Sequence, residues 1–352
     1  MKKINRKHIY ITTLALATCS LMAFAGCANQ TTASNYDNAS LSGTSVTQTV
    51  SAPSALDSSI VDASSLFSNR DLSQTADLSS ATYVTVTDGT DVHITEEGVY
   101  VFSGTAENVT IYVEADSEDK IQLVLDGLTI TNEDFPCIYV TNADKVFVTT
   151  SADSELSVTG TFSADGDTHT DGVIFSRADL VLNGTAALTI TSSDNGVVCK
   201  DDLKITGGSY IISAASRAIE ANDSILIADG TFVLNAGTDA IHASNNDDDT
   251  VGYIYIGGGS FTIRAGDDAI HAVTFIRIDD GAFDISAAEG IEGTYIQING
   301  GSIYIAGSDD GMNFGPHQEW LFDDGSPLGS YNTGDIPIPR LPNGQFAKRK
   351  QA

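Results

Sequence analysis

The chain has 352 residues, 17 of them basic and 47 acidic, which gives a formal net charge of -30. Such a polyanion excludes binding to a nucleic acid through the phosphate backbone, because that contact requires clustered basic side chains. The partners that remain are cations, neutral surfaces, and anionic molecules that a bridging metal ion can hold.

The first 27 residues have the organisation of a bacterial export signal. A basic start that ends at Lys7 is followed by an apolar stretch, Ile9 to Phe24, which is short for a membrane span. The stretch ends in Phe24-Ala25-Gly26-Cys27, which resembles a lipobox. We therefore predict a lipid-modified Cys27 that tethers an extracellular chain to the bacterial cell membrane, with plain secretion as the alternative.

The segments on either side of the predicted folded domain, residues 82–315, differ from it in composition. Residues 28–81 are rich in Ser, Thr, Asn, Ala and Asp, which predicts a flexible tether. Within that segment, the stretch from Leu66 to Leu78 is a candidate for an ordered cap, because the end of a solenoid must be covered. Residues 316–352 hold five of the seven prolines and predict an irregular tail.

Seven segments with similar starts recur along the second half of the chain. Their first residues are separated by 24, 22, 22, 29, 21 and 21 residues, and they are Gly172, Gly196, Ala218, Ala240, Ala269, Gly290 and Gly311. A period near 22 residues, with short apolar strands between small turn residues, is typical of a β-solenoid in which each repeat forms one coil. Less regular coils fill the stretch from residue 82 to residue 171.

Each regular coil contains a glycine turn between two strands with apolar residues at every second position. The turn residues, for which we predict positive φ, are Gly208, Gly230, Gly259, Gly281 and Gly301. A third short strand begins at each repeat start. The pattern predicts an all-β fold, a parallel β-helix with three short strands per coil, whose interior columns include Ile227, Ile256, Ile278 and Ile298. A β-sandwich would not keep identical columns in every repeat.

Two cysteines, Cys137 and Cys199, lie within the predicted helix. They fall at different column positions and several coils apart. We therefore predict that both are buried free thiols and that they do not form a disulfide.

Acidic residues recur at the corner before the third strand. Asp268, Glu289 and Asp310 precede three successive repeat starts, and Glu292 lies nearby. Stacked coils place equivalent residues about 4.8 Å apart. Two unit charges at that distance repel by roughly 3 to 4 kcal/mol at an effective dielectric constant near 20. Calcium fits this corner, because it takes six to eight hard oxygen ligands with tolerant geometry; a solvated acidic surface is the alternative.

Two further groups have residue types that bind metals. The column Glu220, His242, His271 and Glu292 places imidazoles and carboxylates on adjacent coils, which is compatible with zinc or with a plain polar ladder. The longest repeat also contains an insertion with the sequence Asn245-Asn246-Asp247-Asp248-Asp249. This insertion either wraps a calcium ion or forms a polar loop.

One outward face of the predicted helix carries aromatic residues on successive coils. They form the column Tyr253, Phe275 and Tyr295, and beside it lies the column Tyr255, Arg277 and Gln297. A flat aromatic ridge of this kind can stack against sugar rings, while Arg and Gln bind hydroxyl or carboxylate groups. Cross-strand aromatic packing, or cover by another segment, is the alternative.

The acidic motifs resemble a known family. They are Ala218-Ile219-Glu220-Ala221-Asn222-Asp223, Gly266-Asp267-Asp268-Ala269-Ile270-His271, Ala288-Glu289-Gly290-Ile291-Glu292-Gly293 and Ser308-Asp309-Asp310-Gly311-Met312-Asn313. Together they are similar to the carbohydrate-binding domain family of bacterial surface lipoproteins. The resemblance implies a right-handed, pectate-lyase-like β-helix and calcium-dependent binding of cellulose or polygalacturonate. It also implies calcium ligands at Asp267, Asp268, Glu289, Glu292, Asp309 and Asp310.

Three functions are compatible with these features. The expected function is a surface-anchored polysaccharide-binding module without turnover. A pectate-lyase-like enzyme is the second, because β-elimination needs calcium and a basic residue, and Arg217 and Arg277 are candidates for that base. A purely structural or adhesive stalk is the third, since the repeat alone suffices for it.

Overall fold

The computed structural model describes residues 63–313, apart from 246, 248 and 249, together with short strand segments outside that range. The predicted lipidation site Cys27, residues 28–62 of the predicted tether, and most of the predicted tail lie outside the described residues. The same is true of Asn246, Asp248 and Asp249 in the predicted calcium-binding insertion. Among the residues that are described, no helix has the length and apolar character needed to cross a membrane.

The described residues form β-strands and one short 3-10 helix, Ala63–Ser65. In chain order the strands are β1 (Lys7–Tyr10), β2 (Thr82–Thr85), β3 (Thr90–Ile94), β4 (Gly98–Glu107), β5 (Ile111–Glu114), β6 (Lys120–Asn132), β7 (Ile138–Asn142), β8 (Lys145–Ala152), β9 (Ser154–Val158), β10 (Gly172–Ser176), β11 (Asp179–Gly184), β12 (Ala187–Ser192), β13 (Asn195–Cys199), β14 (Asp202–Ile205), β15 (Ser209–Ala214), β16 (Ile219–Ala221), β17 (Ser224–Ile227), β18 (Thr231–Ala236), β19 (Ile241–Ala243), β20 (Tyr253–Ile256), β21 (Ser260–Ala265), β22 (Asp268–Ile278), β23 (Ala282–Ala287), β24 (Glu289–Ile298), β25 (Ser302–Gly307), β26 (Met312–Asn313), β27 (Trp320–Leu321), β28 (Pro327–Gly329) and β29 (Phe346–Ala347).

The chain winds into a parallel β-solenoid of about 9 turns, and each turn contributes one strand to each of three sheets. The first sheet contains β2, β8, β11, β14, β17 and β20, the opening halves of β4 and β6, and the closing halves of β22 and β24. The second contains the closing halves of β4 and β6, then β9, β12, β15, β18, β21, β23 and β25. The third contains β3, β5, β7, β10, β13, β16, β19, the opening halves of β22 and β24, and β26. The predicted parallel β-helix with three strands per coil is confirmed.

The interior is built from columns of like residues. Ile227, Ile256, Ile278 and Ile298 pair in register on successive coils of the first sheet, as predicted. The first three have no exposed surface. Because each side chain packs between its equivalents on the coils above and below, the core continues along the whole helix and has no single centre.

The glycine turns between the first and second sheets have the positive φ that the sequence predicts. The φ angles of Gly208, Gly230, Gly259, Gly281 and Gly301 are 95°, 142°, 113°, 132° and 92°. Two residues after the turns, the buried rings of Tyr210, Phe232, Phe261 and Phe283 stack with centroids 5.4, 4.6 and 4.5 Å apart. A side chain on a turn glycine would lie against this stack; a Cβ on Gly281 would lie 2.8 Å from the Phe283 ring.

The two cysteines are buried and free, as predicted. Each sulfur lies against backbone carbonyl groups inside the helix: Cys137 Sγ is 3.4 Å from the Ser157 oxygen, and Cys199 Sγ is 3.4 Å from the Ala178 oxygen. Burial raises the pKa of both thiols well above the ordinary value. The thiols therefore act as small apolar groups of the core.

Residues 63–79, which we call the N-terminal strap, lie along the outer face of the first sheet. Asp71 is buried, and its carboxylate lies 3.3 Å from Lys204 Nζ on β14. The Gln74 side chain accepts a hydrogen bond from the Gly184 amide at 3.0 Å. The stretch that the sequence suggested as a cap is therefore ordered, but it lies on the side of the helix and not over its end.

Replacement of Ile278 by Asp tests the interior column. The change buries a charge between packed coils, and we expect it to lower the free energy of unfolding by at least about 4 kcal/mol, if the protein folds at all. The mild variant Ile278→Val should lose about 1 kcal/mol. Ile211→Asp is the matched control, because Ile211 is 41% exposed on the second sheet and its replacement should change stability little. Equal denaturant midpoints for Ile278→Asp and Ile211→Asp would contradict the column assignment.

The turn Gly257-Gly258-Gly259 contains its own control for the glycine requirement. Gly259 has φ of 113°, and a Cβ there would lie 3.0 Å from the Gly230 carbonyl oxygen, whereas one on Gly258 would make ordinary contacts. We expect Gly259→Ala to lower the free energy of unfolding by about 1 to 3 kcal/mol. Gly258→Ala should change it by less than about 0.5 kcal/mol. Thermal or denaturant unfolding compares the two; the reverse order would show that backbone strain does not govern this turn.

Candidate functional site

The third sheet carries a polar column on its outer face. Glu220, His242, His271 and Glu292 occupy equivalent positions on four successive coils, in the register predicted from the sequence. Alternation along each strand explains the placement: Ile241 on β19 points into the core, so the next residue points outward. The corner that precedes the strand adds a second acidic column beside the first.

At the N-terminal end of this column the carboxylates are neutralised by basic residues. Arg217 donates from Nε to Asp239 Oδ2 at 3.1 Å and from Nη1 to Glu220 Oε2 at 3.2 Å. Lys200 Nζ lies 3.5 Å from the other oxygen of Glu220. Arg217 therefore balances two carboxylates that lie on adjacent coils.

Asp239 and His242 form a closed pair on the next coil. Both side chains are buried, and His242 Nδ1 lies 2.6 Å from Asp239 Oδ2. Burial opposes ionisation of Asp239, but the hydrogen bond and charge of His242 and the hydrogen bond from Arg217 lower its pKa to about 2. Asp239 Oδ1 also accepts a hydrogen bond from the Asp268 amide at 3.3 Å. This aspartate is therefore a satisfied, ionised group.

The following two coils form a centre that is less well satisfied, with Asp268 and His271 on one coil and Glu292 on the next. Donor atoms of the three residues lie within 4.8 Å of one another. Asp268 is only 4% exposed, and its Oδ1 is buried without a hydrogen-bond partner among residues 63–313. Its Oδ2 lies 3.3 Å from His271 Nδ1. A buried carboxylate oxygen without a partner is costly and is the kind of atom that a bound cation would satisfy.

The pKa values of this centre reflect the crowding of its carboxylates. Burial, followed by the charge of Asp268, raises the pKa of Glu292 to about 7. Burial disfavours protonation of His271, but the hydrogen bond and charge of Asp268 outweigh it and raise the pKa of the imidazole. In the absence of a cation, bound protons therefore reduce the repulsion between the carboxylates of this cluster near neutral pH.

The other predicted calcium ligands lie around this centre. Asp267 is exposed, and its carboxylate lies within 4.8 Å of those of Asp239 and Asp268. Glu289 pairs in register with Asp268, and its Oε2 accepts a hydrogen bond from Asn313 Nδ2 at 2.7 Å. Asp309 and Asp310 lie one coil further on and belong to none of the metal-ligating groups found among the described residues. The acidic edge thus extends over three coils, with Asp268 and Glu292 at its most crowded point.

A groove runs beside the acidic edge, on the outer side of the corner between the second and third sheets. It has a volume of about 640 Å³ and includes small residues such as Ala236, Gly237 and Gly266. Polar side chains from equivalent positions on five coils also contribute to it: Thr191, Ser213, Asn235, Arg264 and Ser286. Gly266 lines the groove and directly precedes Asp267 in the chain, so this part of the groove borders the acidic edge.

The predicted aromatic ridge is only partly as the sequence suggests. The rings of Tyr253 and Phe275 stack with centroids 4.7 Å apart and planes inclined by 8°. The side chain of Tyr295 is not among those described. Since the two rings present their faces to each other, the space between those coils offers ring edges and no flat surface on which a sugar can stack.

The column beside the ridge is buried. Tyr255, Arg277 and Gln297 are 6%, 8% and 5% exposed. Asp279 accepts hydrogen bonds from the Tyr255 hydroxyl at 3.0 Å and from Arg277 Nε at 2.8 Å. The Phe67 ring of the N-terminal strap also lies 6.2 Å from that of Tyr255. These three predicted sugar-binding residues are therefore engaged in contacts within the protein.

Sequence reasoning missed that the outward column of the third sheet becomes aromatic towards the N-terminus. His93, Tyr112, Tyr139 and Phe175 pair in register there. The rings of His93 and Tyr112 stack at 4.7 Å, and Phe135 packs against Tyr139 with centroids 5.5 Å apart. The sequence did contain a signal for this column. In every coil it is the position directly after the first inward residue of the third strand, and in the later coils that position holds His242 and His271.

The raised pKa of Glu292 predicts a pH dependence of stability. A folded-state pKa above the unfolded value means that the protonated residue stabilises the fold at low pH, and this contribution is lost as the pH rises through about 7. Between about pH 5 and about pH 8, Glu292→Gln should therefore lose less free energy of unfolding than the wild type, measured with chelator present. Glu155→Gln, an exposed glutamate on β9, should follow the wild type. Parallel curves for the wild type and Glu292→Gln would contradict the prediction.

Two known proteins that are similar to this chain have descriptions that refer to carbohydrates. A protein of Acetivibrio thermocellus, described as a carbohydrate-binding domain-containing protein, is 35% identical over 129 residues. The match covers 35% of this chain and 45% of that protein, so this chain spans less than half of the relative's length. A solved structure described as the polysaccharide lyase-like protein from C. thermocellum, gadolinium derivative, superposes with a TM-score of 0.55 and 28% identity. That superposition covers 66% of this chain and 95% of the other.

A family model described as carbohydrate-binding domain-containing protein matches residues 88–321, which is more than half of the 352-residue chain. The matched range includes the β-helix from β3 onward, the groove and the acidic edge. The chain therefore belongs to this carbohydrate-binding domain family.

Proposed function

We propose that the protein is a surface-anchored, calcium-dependent module that binds plant-type polysaccharides without turning them over. Polygalacturonate is the favoured glycan class, and cellulose is the second. The observation that carries the proposal is Asp268 Oδ1, which is buried without a hydrogen-bond partner among residues 63–313, in an acidic edge that borders the groove. The anchor is the lipid-modified Cys27 suggested by the sequence.

The charge of the protein explains why calcium enters the proposal. With a formal net charge of -30, the chain repels an anionic glycan unless a cation lies between them. Calcium takes oxygen ligands from several groups at once, so the same ion can bind carboxylates of the edge and a uronate of the glycan. Asp267, Asp268, Glu289 and Glu292 are the proposed protein ligands, and Asp309 and Asp310 extend the edge by one coil.

The groove supplies the remaining contacts of the proposed complex. It runs along the helix axis, and Arg264 lines it close to Asp267 in the chain. Its polar residues can donate to and accept from sugar hydroxyls. An extended polysaccharide can therefore follow several coils while its carboxylates reach the edge. Cellulose is less well supported for two reasons. It has no carboxylate to bind the ion, and the stacked rings of Tyr253 and Phe275 turn their faces towards each other and not towards a ligand.

Turnover is less well supported than binding. A lyase needs a basic residue that is free to remove a proton beside the uronate carboxylate. Arg217 is hydrogen-bonded to Asp239 and Glu220, and Arg277 is hydrogen-bonded to Asp279. Both candidate bases from the sequence thus serve as counter-charges, which favours a binding module.

The proposal predicts that polygalacturonate binding depends on calcium. Affinity, measured by titration calorimetry, should fall at least about tenfold in chelator, and at least about tenfold in Asp268→Asn with calcium present. Glu155→Gln is the control, because it removes one charge far from the edge. Calcium-independent binding would contradict the bridging role. Release of unsaturated oligosaccharides, followed by absorbance, would favour the lyase. If the protein retained cellulose but not polygalacturonate, the glycan site would have to lie on another face of the helix.

A further inference from the structure

We propose that Asp268, His271 and Glu292 form a binding site for a borderline divalent transition cation, of which zinc is the representative. The site lies within the acidic edge of the proposed function. It does not, however, require that calcium or a glycan bind there. Three protein ligands leave one position of a tetrahedral shell for water or for a sugar oxygen.

The separation of His271 from Asp268 is the first argument. Nδ1 and Oδ2 lie 3.3 Å apart, whereas the equivalent atoms of the His242–Asp239 pair lie 2.6 Å apart. Metal–ligand bonds of about 2.0 to 2.2 Å place two ligand atoms of a tetrahedral zinc site about 3.3 Å apart. The His242 pair is thus closed by a short hydrogen bond, while the longer His271–Asp268 contact already has the spacing of two ligands of one ion.

The unpartnered oxygen of Asp268 is the second argument, and it is independent of the first. Oδ1 itself is buried, and the whole Asp268 residue is only 4% exposed. The cost of a buried polar group without a partner is about 1 to 3 kcal/mol, and it is larger for a charged group. A cation bound to this carboxylate would offset the cost of burying its charge.

The absence of a basic counter-charge is the third argument. Within residues 63–313, neither Asp268 nor Glu292 forms an ion pair with lysine or arginine, whereas Glu220 pairs with both Lys200 and Arg217. Along the column, carboxylates that are paired with basic side chains thus give way to carboxylates whose one nearby cationic group in the described part of the chain is His271. A divalent ion would balance the two charges that remain.

The donor set decides which cation fits best. Calcium takes 6 to 8 oxygen ligands and gains little from an imidazole. Zinc and similar ions accept one nitrogen and two carboxylates in a four-coordinate shell. The second carboxylate–histidine pair, Asp239 and His242, lies beside the site with its ring centroid 4.6 Å from that of His271. The His242 ring therefore packs against His271, while its Nδ1 is already engaged by Asp239.

The test uses the full chain freed of metal with a chelator and then titrated separately with zinc and with calcium near pH 7.5. We expect zinc to bind more tightly than calcium and to raise the melting temperature, because it binds only the folded state. His271→Gln should weaken zinc binding at least about tenfold, which is about 1.4 kcal/mol, and leave calcium binding within about twofold. His93→Gln is the matched control, since His93 lies in the same outward column on a distant coil. Melting in chelator checks that each variant is folded.

The outcomes separate this inference from the proposed function. Zinc binding that is unchanged in His271→Gln, or weaker than calcium binding in the wild type, would overturn the inference and leave calcium-dependent glycan binding standing. Zinc binding that requires His271, combined with no calcium binding, would support the inference and contradict the proposed function. If neither ion binds, both are wrong, and the centre is held by protons alone.

Discussion

The in-register pairing of each coil with the next controls the rest of this structure. Parallel strands on successive coils lie about 4.8 Å apart, so a residue repeated in the sequence is stacked on its own equivalent. For apolar residues the stacking is favourable, as in the isoleucine column that includes Ile278 and in the ring stack that includes Phe261. The same register also stacks the outward residues, as in the column from Glu220 to Glu292.

For charged residues the same register is costly, and the outward column of the third sheet shows two ways of meeting the cost. Around Glu220, the basic side chains of Arg217 and Lys200 balance the carboxylates. Around Glu292, protons do so, and its pKa rises to about 7. A cation replaces those protons in both ion-binding proposals. The unsatisfied part of the column, rather than the column as a whole, is therefore the place at which a ligand is expected.

The faces of the helix differ in what they leave accessible. The N-terminal strap covers part of the first sheet, where Asp71 binds Lys204 and Phe67 lies near Tyr255. Within residues 63–313, the strap does not contact the groove between the second and third sheets or the acidic edge. This division explains why glycan binding is proposed at the corner and not on the aromatic ridge of the first sheet.

The sequence by itself determined most features that repeat: the three strands per coil, the positive φ of the turn glycines, the interior isoleucine column, and the column that joins His242 to His271. Periodicity carries this information, because residues one coil apart must be neighbours. The tertiary structure decided the features that occur once. The strap contacts residues more than 100 positions away, so no local pattern predicts it. Asp279 holds Tyr255 and Arg277 inside, and a difference of less than 1 Å separates the His271 pair from the His242 pair. Such differences depend on side-chain packing and on the balance of neighbouring charges, which a repeating sequence does not encode.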